Sequence, residues 1–537
     1  MNKAGWIRAG SLLLATSVGV LTGCADEANK PVATDASAAT GSDSGSSTGS
    51  KDSGAPTATV DAGRPPTPST DAGPPVIDAA AAIDNATLPA AENLSGPEGT
   101  GVCEAMVNDQ DCDKTKLPIV FVHGTVANAD SFAHPAKLFA SNGYCPDRIR
   151  GIEYHSLIAS ADAGAAFVLD RAATYAAAKA AIDAEIASLQ AEFKVDKVDL
   201  AGHSQGAGHG AVYVGENPSK IAHYINLAGG ELKADPGGVP TLNLSSIGDR
   251  PVDAGTAKSV IFQDPWLDHS AVSSSTESFV EMYKFLNDGK EPKYKTVQCG
   301  SPITIEGKAR TFAENAFLPG SKVEVYELGA SARERGAPVQ SYTLTADAKF
   351  GPFEAKPGVA YEFKMVPPEG DTTRRPGRAY LAPFVRSDRL LRFNFETKDP
   401  VAAATSGQVN RDPSFAVIIP RSRQKAFLAQ RDSLTIDGFE VLSRGTTMTV
   451  APATGMVRSA VTVAYYLYDR SLTPGTFGPG DGKTTGESII KGTFVNSADV
   501  FVPSATPKFV EVKYGGRTIK VPNWPSASEG ASVVFLN

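Results

Sequence analysis

The sequence has no phenylalanine, tyrosine or tryptophan between Trp6 and Phe121, although the 537-residue chain contains 24 Phe, 15 Tyr and 3 Trp. Residues 25 to 97 are mainly alanine, serine, threonine, glycine, aspartate and proline. Such a segment cannot bury enough apolar surface to offset the entropy lost on ordering. We therefore predict that residues 24–97 form a flexible tether rather than a folded domain.

A surplus of positive charge is also missing. Lysine and arginine number 51 against 59 aspartate and glutamate residues, which gives a net charge of -8. A chain without basic excess lacks the electrostatic basis for binding phosphate backbones, so we exclude nucleic acid as a partner. A chain of this length is too long to fold around one hydrophobic core, so several folded units are expected.

The start of the chain lacks an apolar run long enough to cross a bilayer. The positively charged stretch MNKAGWIR precedes the short apolar stretch AGSLLLATSVGV, a pattern typical of a secretory signal covering residues 1–23. The tetrapeptide LTGC that ends at Cys24 resembles the bacterial lipobox. That resemblance implies that Cys24 is acylated and tethers the protein to a membrane outside the cytoplasm, at the outer membrane or the cell surface. A plain secretory signal with an incidental cysteine, and a secreted product, is the alternative.

Cysteine is scarce, and besides Cys24 only Cys103, Cys112, Cys145 and Cys299 occur. An even number of cysteines in an exported chain predicts two disulfides, with three possible connectivities. We expect Cys103 to pair with Cys112 across a short loop, and Cys145 to pair with Cys299. Free buried thiols are the alternative. The spacing matches no zinc site, so no metal is expected.

Residues 115 to 290 alternate between short apolar runs and longer segments with helical periodicity. Apolar runs of this kind are typical of strands buried on both faces of a parallel sheet. Strands are predicted at 117–123, 148–154, 197–203, 221–229, 240–248 and 257–263, and helices at 131–142, 170–193, 205–215 and 273–287. The alternation predicts an α/β domain, mostly parallel sheet flanked by helices, over residues 98–290.

After residue 290 the pattern changes to short β-branched and aromatic segments punctuated by glycine and proline, such as SKVEVYEL, AYEFKMV and KFVEVKYGGRTIKVP. This pattern is typical of all-β architecture, a sandwich or a barrel. We predict a β-sandwich-like domain over residues 291–398 and a second β-rich domain over residues 399–537.

The pentapeptide from Gly202 to Gly206, with Ser204 at its centre, matches the Gly-x-Ser-x-Gly nucleophile elbow. It lies between a predicted strand and a predicted helix, as this motif requires. The sharp turn holds the serine in a strained backbone conformation, and side chains two positions away on either side would collide with their neighbours. We predict that Ser204 is a nucleophile.

A serine nucleophile needs a base to accept its proton. His209, His223 and His269 are the histidines that follow Ser204 in the chain. His209 lies on the helix directly after the elbow and His223 lies inside a strand, so both are interpreted as structural. His269 follows the last predicted strand of the α/β domain, in a loop before a helix, and is the predicted base.

The base in turn needs a carboxylate to orient it and to stabilise its charged form. Asp249 lies at the C-terminal end of a strand, one strand ahead of the histidine, and is the predicted acid. Its rivals are Asp253 and, more weakly, Asp264 and Asp268, which share the histidine's loop.

The oxyanion formed during acyl transfer requires preorganised donors. The backbone N–H of Gln205, directly after the nucleophile, is one predicted donor. The loop after the first strand, IVFVHGTVANADSF, is expected to supply the other from the backbone N–H of Thr125, with Val126 next in line. His123 is expected to orient this loop.

The segments FVHGT, GHSQG and SIGD, and a histidine shortly before a helix, resemble the α/β-hydrolase superfamily, specifically secreted bacterial lipases and esterases with a small catalytic domain. Some lipases carry a β-domain after this catalytic domain. The resemblance implies a carboxylic ester hydrolase, a triacylglycerol lipase or esterase, that works through a Ser-His-Asp triad and an acyl-enzyme without a cofactor. A lipid or another acyl ester is the expected substrate. A polyester depolymerase, a deacylase and a non-catalytic surface binding module are the alternatives.

Overall fold

The computed structural model describes residues 105–160, 168–230, 232–246, 249, 257–264, 267–312, 314–395, 416–427, 431–442, 463–468 and 495–536. The predicted signal peptide, the tether, Cys24, Cys103 and Asp253 lie outside these residues, and those interpretations stay predictions.

A six-stranded sheet forms the centre of the α/β part. Its strands are β2 (Ile119–Val122), β3 (Ile149–Gly151), β4 (Val198–His203), β5 (Ile221–Leu227), β6 (Thr241–Ser246) and β7 (Lys258–Phe262). They run in the order β3-β2-β4-β5-β6-β7, and every neighbouring pair is parallel. All six predicted strands are present. Because all six strands are parallel, their C-terminal ends lie along one edge, where ligands bind in open α/β sheets.

The helices that flank this sheet also follow the prediction. They are α1 (Ala133–Ser141), α2 (Arg171–Phe193), α3 (Gln205–Glu216) and α4 (Thr276–Leu286). Asp170 caps the N-terminus of helix α2, because its side chain accepts a hydrogen bond from the Ala173 N–H, and Lys194, with a left-handed backbone at φ 56°, caps the C-terminus.

Strand β2 shows why the strands read as continuous apolar runs. Ile119 and Phe121 pack into a core that includes residues of α1 and α4, whereas Val120 and Val122 pack into a second core with residues of α2 and α3. Successive side chains of a strand point to opposite faces of the sheet. Both faces are therefore covered, and every residue of β2 is both buried and apolar.

The rest of the described chain is almost entirely β. Its strands are β8 (Cys299–Ser301), β9 (Thr304–Thr311), β10 (Lys322–Glu327), β11 (Gln340–Thr343), β12 (Lys349–Glu354), β13 (Tyr361–Val366), β14 (Gly377–Tyr380), β15 (Asp388–Phe395), β16 (Val417–Ser422), β17 (Leu434–Ile436), β18 (Phe439–Glu440), β19 (Ala464–Tyr468), β20 (Val495–Asp499), β21 (Phe509–Tyr514), β22 (Arg517–Pro522) and β23 (Ser532–Leu536). A short helix, α5 (Ser526–Glu529), precedes β23, and an N-terminal strand, β1 (Met106–Asn108), pairs with β8. The prediction of an α/β fold followed by an all-β region is confirmed.

One eight-stranded sheet joins strands from both sides of residue 398. Its order is β11-β10-β13-β14-β23-β16-β19-β20, and β23 pairs in parallel with both β14 and β16. A three-stranded sheet, β12-β9-β15, and a four-stranded sheet, β18-β17-β21-β22, complete the region. The two β-rich segments that the sequence separates at residue 398 thus share main-chain hydrogen bonds across that boundary.

A buried polar seam connects the β-rich region to the α/β part. Arg392 of β15 is fully buried, and its Nε lies 3.4 Å from Glu153 Oε1. Its guanidinium also donates to Asn315 Oδ1 at 2.6 Å, and Asn315 Nδ2 donates to the Tyr154 carbonyl at 2.8 Å. Because a buried charge is tolerated only when it is paired and hydrogen-bonded, this seam fixes how the two parts meet.

The expected disulfide pairing is wrong. Cys112 is bonded to Cys145, with their Cα atoms 4.9 Å apart. Cys299, which was expected to pair with Cys145, is itself disulfide-bonded. The short loop from Cys103 to Cys112 was favoured by sequence proximity, but disulfide connectivity depends on which Cα atoms the fold brings within about 7 Å.

Candidate active site

Ser204 lies at the sharp turn between β4 and α3. Its backbone has φ 53° and ψ -121°, a region that non-glycine residues rarely occupy. Its N–H donates to the Leu227 carbonyl at 2.9 Å, and its own carbonyl accepts from the Ala207 N–H at 3.0 Å. Strain of about 1–3 kcal/mol at one residue persists only where the surroundings hold it. The main-chain bonds on both sides of Ser204 supply that restraint.

The two glycines of the motif are required by close contacts. A Cβ atom on Gly202 would lie 2.5 Å from the Gly206 carbonyl oxygen, and one on Gly206 would overlap the carbonyl oxygens of Val122 and His123. Helix α3 therefore approaches both the turn and strand β2 more closely than any side chain permits, as the sequence predicts.

His269 and Asp249 are brought together although 20 positions separate them. His269 Nδ1 lies 2.7 Å from Asp249 Oδ1, and the Asp249 side chain is 16 % exposed. The other carboxylate oxygen of Asp249 accepts from the Ser246 N–H at 3.1 Å and from the Ser246 hydroxyl at 2.8 Å. With Nδ1–H donating to Asp249, the Nε2 atom of His269 is left with a lone pair that can accept a proton.

The carboxylate changes the proton affinity of the imidazole. Burial disfavours the charged imidazole, but the charge of Asp249 and its hydrogen bond outweigh burial, so the pKa of His269 is raised above its ordinary value. Burial likewise opposes ionisation of Asp249, yet the charge of His269 and the hydrogen bonds from His269 and Ser246 hold the pKa of Asp249 below its ordinary value. The pair is therefore tuned so that Asp249 stays ionised and stabilises a protonated His269.

His203, the residue before Ser204, makes a contact that the sequence does not predict. Its Nε2 lies 2.9 Å from the His269 carbonyl oxygen, and the two rings are 4.8 Å apart. Burial, followed by the charge of His269, lowers the pKa of His203 to about 3. A neutral His203 with its proton on Nε2 therefore donates to the His269 backbone and fixes that loop. Only its position beside the serine could have signalled this.

The loop after β2 lies directly against Ser204. A Cβ atom placed on Gly124 would be 3.0 Å from Ser204 Cβ. Val126 has a positive φ of 59°, and its N–H donates to the Ser156 hydroxyl at 2.9 Å. Val126, the second choice for the oxyanion donor, is thus already engaged, and Thr125 stays the predicted donor of this loop.

His123 is held where an orienting residue should be. It is fully buried, its Nδ1 lies 2.8 Å from the Gly124 carbonyl oxygen, and its ring stacks on Tyr154 at 4.3 Å. Burial lowers the pKa of His123, so the ring is neutral and its Nδ1–H donates to Gly124. Tyr154 also donates to the Gln205 side-chain oxygen at 3.2 Å, which links this loop to the start of α3.

The other two histidines that follow Ser204 in the chain do not contact Asp249. His223 is on β5, where its Nδ1 is 2.8 Å from Asp199 Oδ1. His209 is on α3, where its ring packs against Tyr154 and Tyr175, each with centroids 5.6 Å away. Neither histidine is hydrogen-bonded to Asp249, and both serve packing or pairing within the α/β part.

Asp268 is a buried carboxylate that organises the loop next to His269. It is 1 % exposed, and its Oδ1 accepts from the Ser270 N–H at 2.8 Å and from the Ala271 N–H at 3.0 Å. This carboxylate shapes the turn that carries His269. The sequence identified Asp268 only as a weak rival for the acid.

Within the described part of the chain, no group of three or more histidine, cysteine, aspartate or glutamate residues is placed to hold a metal ion. In the same residues, no helix has the length and apolarity that a membrane crossing requires.

Comparisons with known proteins add a family match in the β-rich region. Residues 301–398 match the family described as "Lipase C-terminal domain". A search among curated proteins found no match.

Similar solved structures are α/β hydrolases, carboxylesterases and related proteins. Carboxylesterase CesB from Bacillus subtilis is 12% identical, covers 34% of this chain and 87% of its own, and has a TM-score of 0.23. Naproxen esterase from Bacillus subtilis is 11% identical, covers 32% of this chain and 84% of its own, and has a TM-score of 0.23. A gene product of Listeria innocua is 13% identical, covers 34% of this chain and 97% of its own, and has a TM-score of 0.24.

Proposed function

We propose that the protein is a serine-dependent carboxylic ester hydrolase, with Ser204 as nucleophile, His269 as general base and Asp249 as the orienting acid. The observation that carries the proposal is the 2.7 Å contact between His269 Nδ1 and Asp249 Oδ1, in a chain whose Ser204 occupies a strained strand-to-helix turn. Both features lie at the C-terminal edge of the same parallel sheet.

The chemistry follows from these positions. His269 Nε2 takes the Ser204 hydroxyl proton as the oxygen attacks the ester carbonyl, and Asp249 stabilises the imidazolium that forms. The backbone N–H groups of Thr125 and Gln205 hold the negative oxygen of the tetrahedral intermediate. Protonated His269 then gives its proton to the leaving alcohol, which leaves an acyl-enzyme. Water, deprotonated by His269, releases the acid and restores the serine.

A lipase or esterase is the favoured class, because the β-rich region matches a family described as a lipase C-terminal domain. The test is hydrolysis of p-nitrophenyl esters with acyl chains from two to sixteen carbons. We expect turnover of these esters, and preference for long chains would assign a lipase whereas preference for short chains would assign an esterase. Activity only on polymeric esters would favour a depolymerase, and no hydrolysis of any ester would favour a non-catalytic binding module.

The pH dependence is a second expectation for the same site. His269 must be neutral to accept the serine proton, so kcat/KM falls as pH decreases through the pKa of His269 in the free enzyme. Because Asp249 raises that pKa, we expect the midpoint of the acid limb to lie above the ordinary histidine pKa of about 6.5. In Asp249→Asn the residual activity should show an acid limb at lower pH than wild type. A profile that is identical in both proteins contradicts the assignment of His269 as the titrating base.

We also propose that Cys24 is lipidated and anchors the enzyme outside the cytoplasm, on the basis of the LTGC segment. Metabolic labelling with a palmitate analogue should mark the wild type and not Cys24→Ser. Labelling of neither protein would favour a plain secretory signal.

A further inference from the structure

The β-rich region reaches both loops of the candidate active site through one segment. We call the described residues of this segment, 421–427 and Arg431, the clasp; Arg421 lies near the end of β16. Arg421 donates to Asn128 Oδ1 at 3.0 Å and to Asp130 Oδ1 at 3.0 Å. Asp130 is fully buried and follows the loop that lies against Ser204.

The other end of the clasp contacts the loop of His269. The Ala426 N–H donates to Asp268 Oδ2 at 3.0 Å, and Arg431 Nη1 lies 3.5 Å from the same oxygen. The hydroxyl of Ser274, a few residues farther along this loop, donates to the Gln424 carbonyl. The clasp thus holds both sides of the site from outside the α/β part.

The side chain of Arg431 is held in place by several hydrogen bonds. Its side chain is 5 % exposed, and its Nε and Nη2 donate to Asp432 at 3.0 and 2.9 Å, while Nη2 also donates to the Ala426 carbonyl. These bonds leave Nη1 directed at Asp268. A buried guanidinium fixed by so many acceptors is a rigid partner, so the carboxylate it neutralises cannot shift without breaking the set.

Resting on the proposed function, we propose that Arg431 is a positioning residue of the active site. It holds the Asp268 carboxylate, Asp268 shapes the turn at residues 268–271, and that turn sets where the His269 imidazole lies relative to Ser204. The active site is thereby incomplete without the clasp, although the clasp contributes none of the reacting groups.

Asp268 also acts on His269 through its charge. The imidazole faces the carboxylate of Asp249 and the neutral ring of His203, while the charge of Asp268, balanced by Arg431, adds to the rise in the pKa of His269. Burial raises the pKa of Asp268 itself, and the charge of Arg431 acts against that rise. Loss of the Asp268 charge is therefore visible in the pH profile of the enzyme, which a residue needed only for folding would not move.

The test compares Arg431→Met, Arg431→Lys, Asp268→Asn and the double variant of Asp268→Asn with Arg431→Met in the full-length chain. With a short p-nitrophenyl ester we expect Arg431→Met to lower kcat about 100-fold, the effect of roughly 1 Å of misplacement, with KM within about twofold of wild type. Arg431→Lys should recover part of the loss because it keeps the charge. The double variant should recover part of the loss seen in Arg431→Met, since it removes the buried Asp268 charge that this variant leaves without a guanidinium partner, while Asp432 keeps its ion pair with Lys425 at 3.6 Å in both variants. Asp268→Asn should move the acid limb of kcat/KM to lower pH.

Arg389→Met is the matched control. Arg389 on β15 is half-buried and pairs with Glu306 on β9 at 2.7 Å, and because neither residue contacts the clasp, its loss should leave kcat unchanged. If Arg431→Met does not fold, as judged by thermal melting, Arg431→Lys and the double variant decide. Wild-type kcat and an unmoved acid limb across the folded Arg431 and Asp268 variants would overturn the inference. That result, together with an inactive Ser204→Ala, would reject only the role of Arg431; an active Ser204→Ala would instead reject the proposed function.

Discussion

Replacing Ser204 by alanine is expected to lower kcat on a soluble p-nitrophenyl ester by about 10⁵- to 10⁶-fold, the loss that follows when a triad nucleophile is removed. Alanine adds no atoms to the turn, and the backbone bonds that hold φ at 53° do not involve the hydroxyl. The fold should therefore be retained, with thermal unfolding within a few degrees of wild type.

Ser219→Ala is the control for this experiment, because Ser219 is an exposed serine in the turn after α3. It should retain wild-type kcat and KM. Ester hydrolysis that survives in Ser204→Ala at more than about a hundredth of the wild-type rate would mean that another group is the nucleophile.

Replacing Asp249 by asparagine is expected to lower kcat by about 10⁴-fold with KM nearly unchanged. Asparagine keeps the size of the side chain but can present its amide N–H to the imidazole, which favours the tautomer that carries the proton on Nε2. That tautomer cannot accept the serine proton. Asparagine is also neutral, so the charge that stabilises the imidazolium is lost. This interaction is strong in the wild type because only 2.7 Å separates His269 Nδ1 from Asp249 Oδ1.

Asp196→Asn, at an exposed aspartate in the loop after α2, is the matched control and should leave kcat unchanged. A loss of less than about tenfold in Asp249→Asn would assign the orienting role to a different carboxylate, and Asp268→Asn would then be the next variant to measure.

The strands of the α/β part could be predicted because both faces of the sheet are buried. In β2 every residue from Ile119 to Val122 is apolar, so the run is visible without any knowledge of its neighbours. The elbow was equally visible, because close packing excludes side chains at Gly202 and Gly206 and so leaves a mark in the sequence.

The long-range contacts around the site could not be predicted from the local sequence. Arg431 and Asp268 are 163 positions apart, and nothing in either local sequence indicates that they meet. The same holds for the disulfide between Cys112 and Cys145, whose pairing depends on the positions of the loops before β2 and β3. His203 could be located in the motif, but its bond to the His269 backbone depends on how the last loop of the sheet folds back.

Covalent labelling with a fluorophosphonate, followed by peptide mapping, tests most directly whether His269 and Asp249 make Ser204 reactive. We predict a single adduct on the peptide that contains Ser204, formed quickly in the wild type, slowly in Asp249→Asn and not at all in Ser204→Ala. An adduct on a different residue, or ester hydrolysis that continues after full labelling of Ser204, would contradict the account.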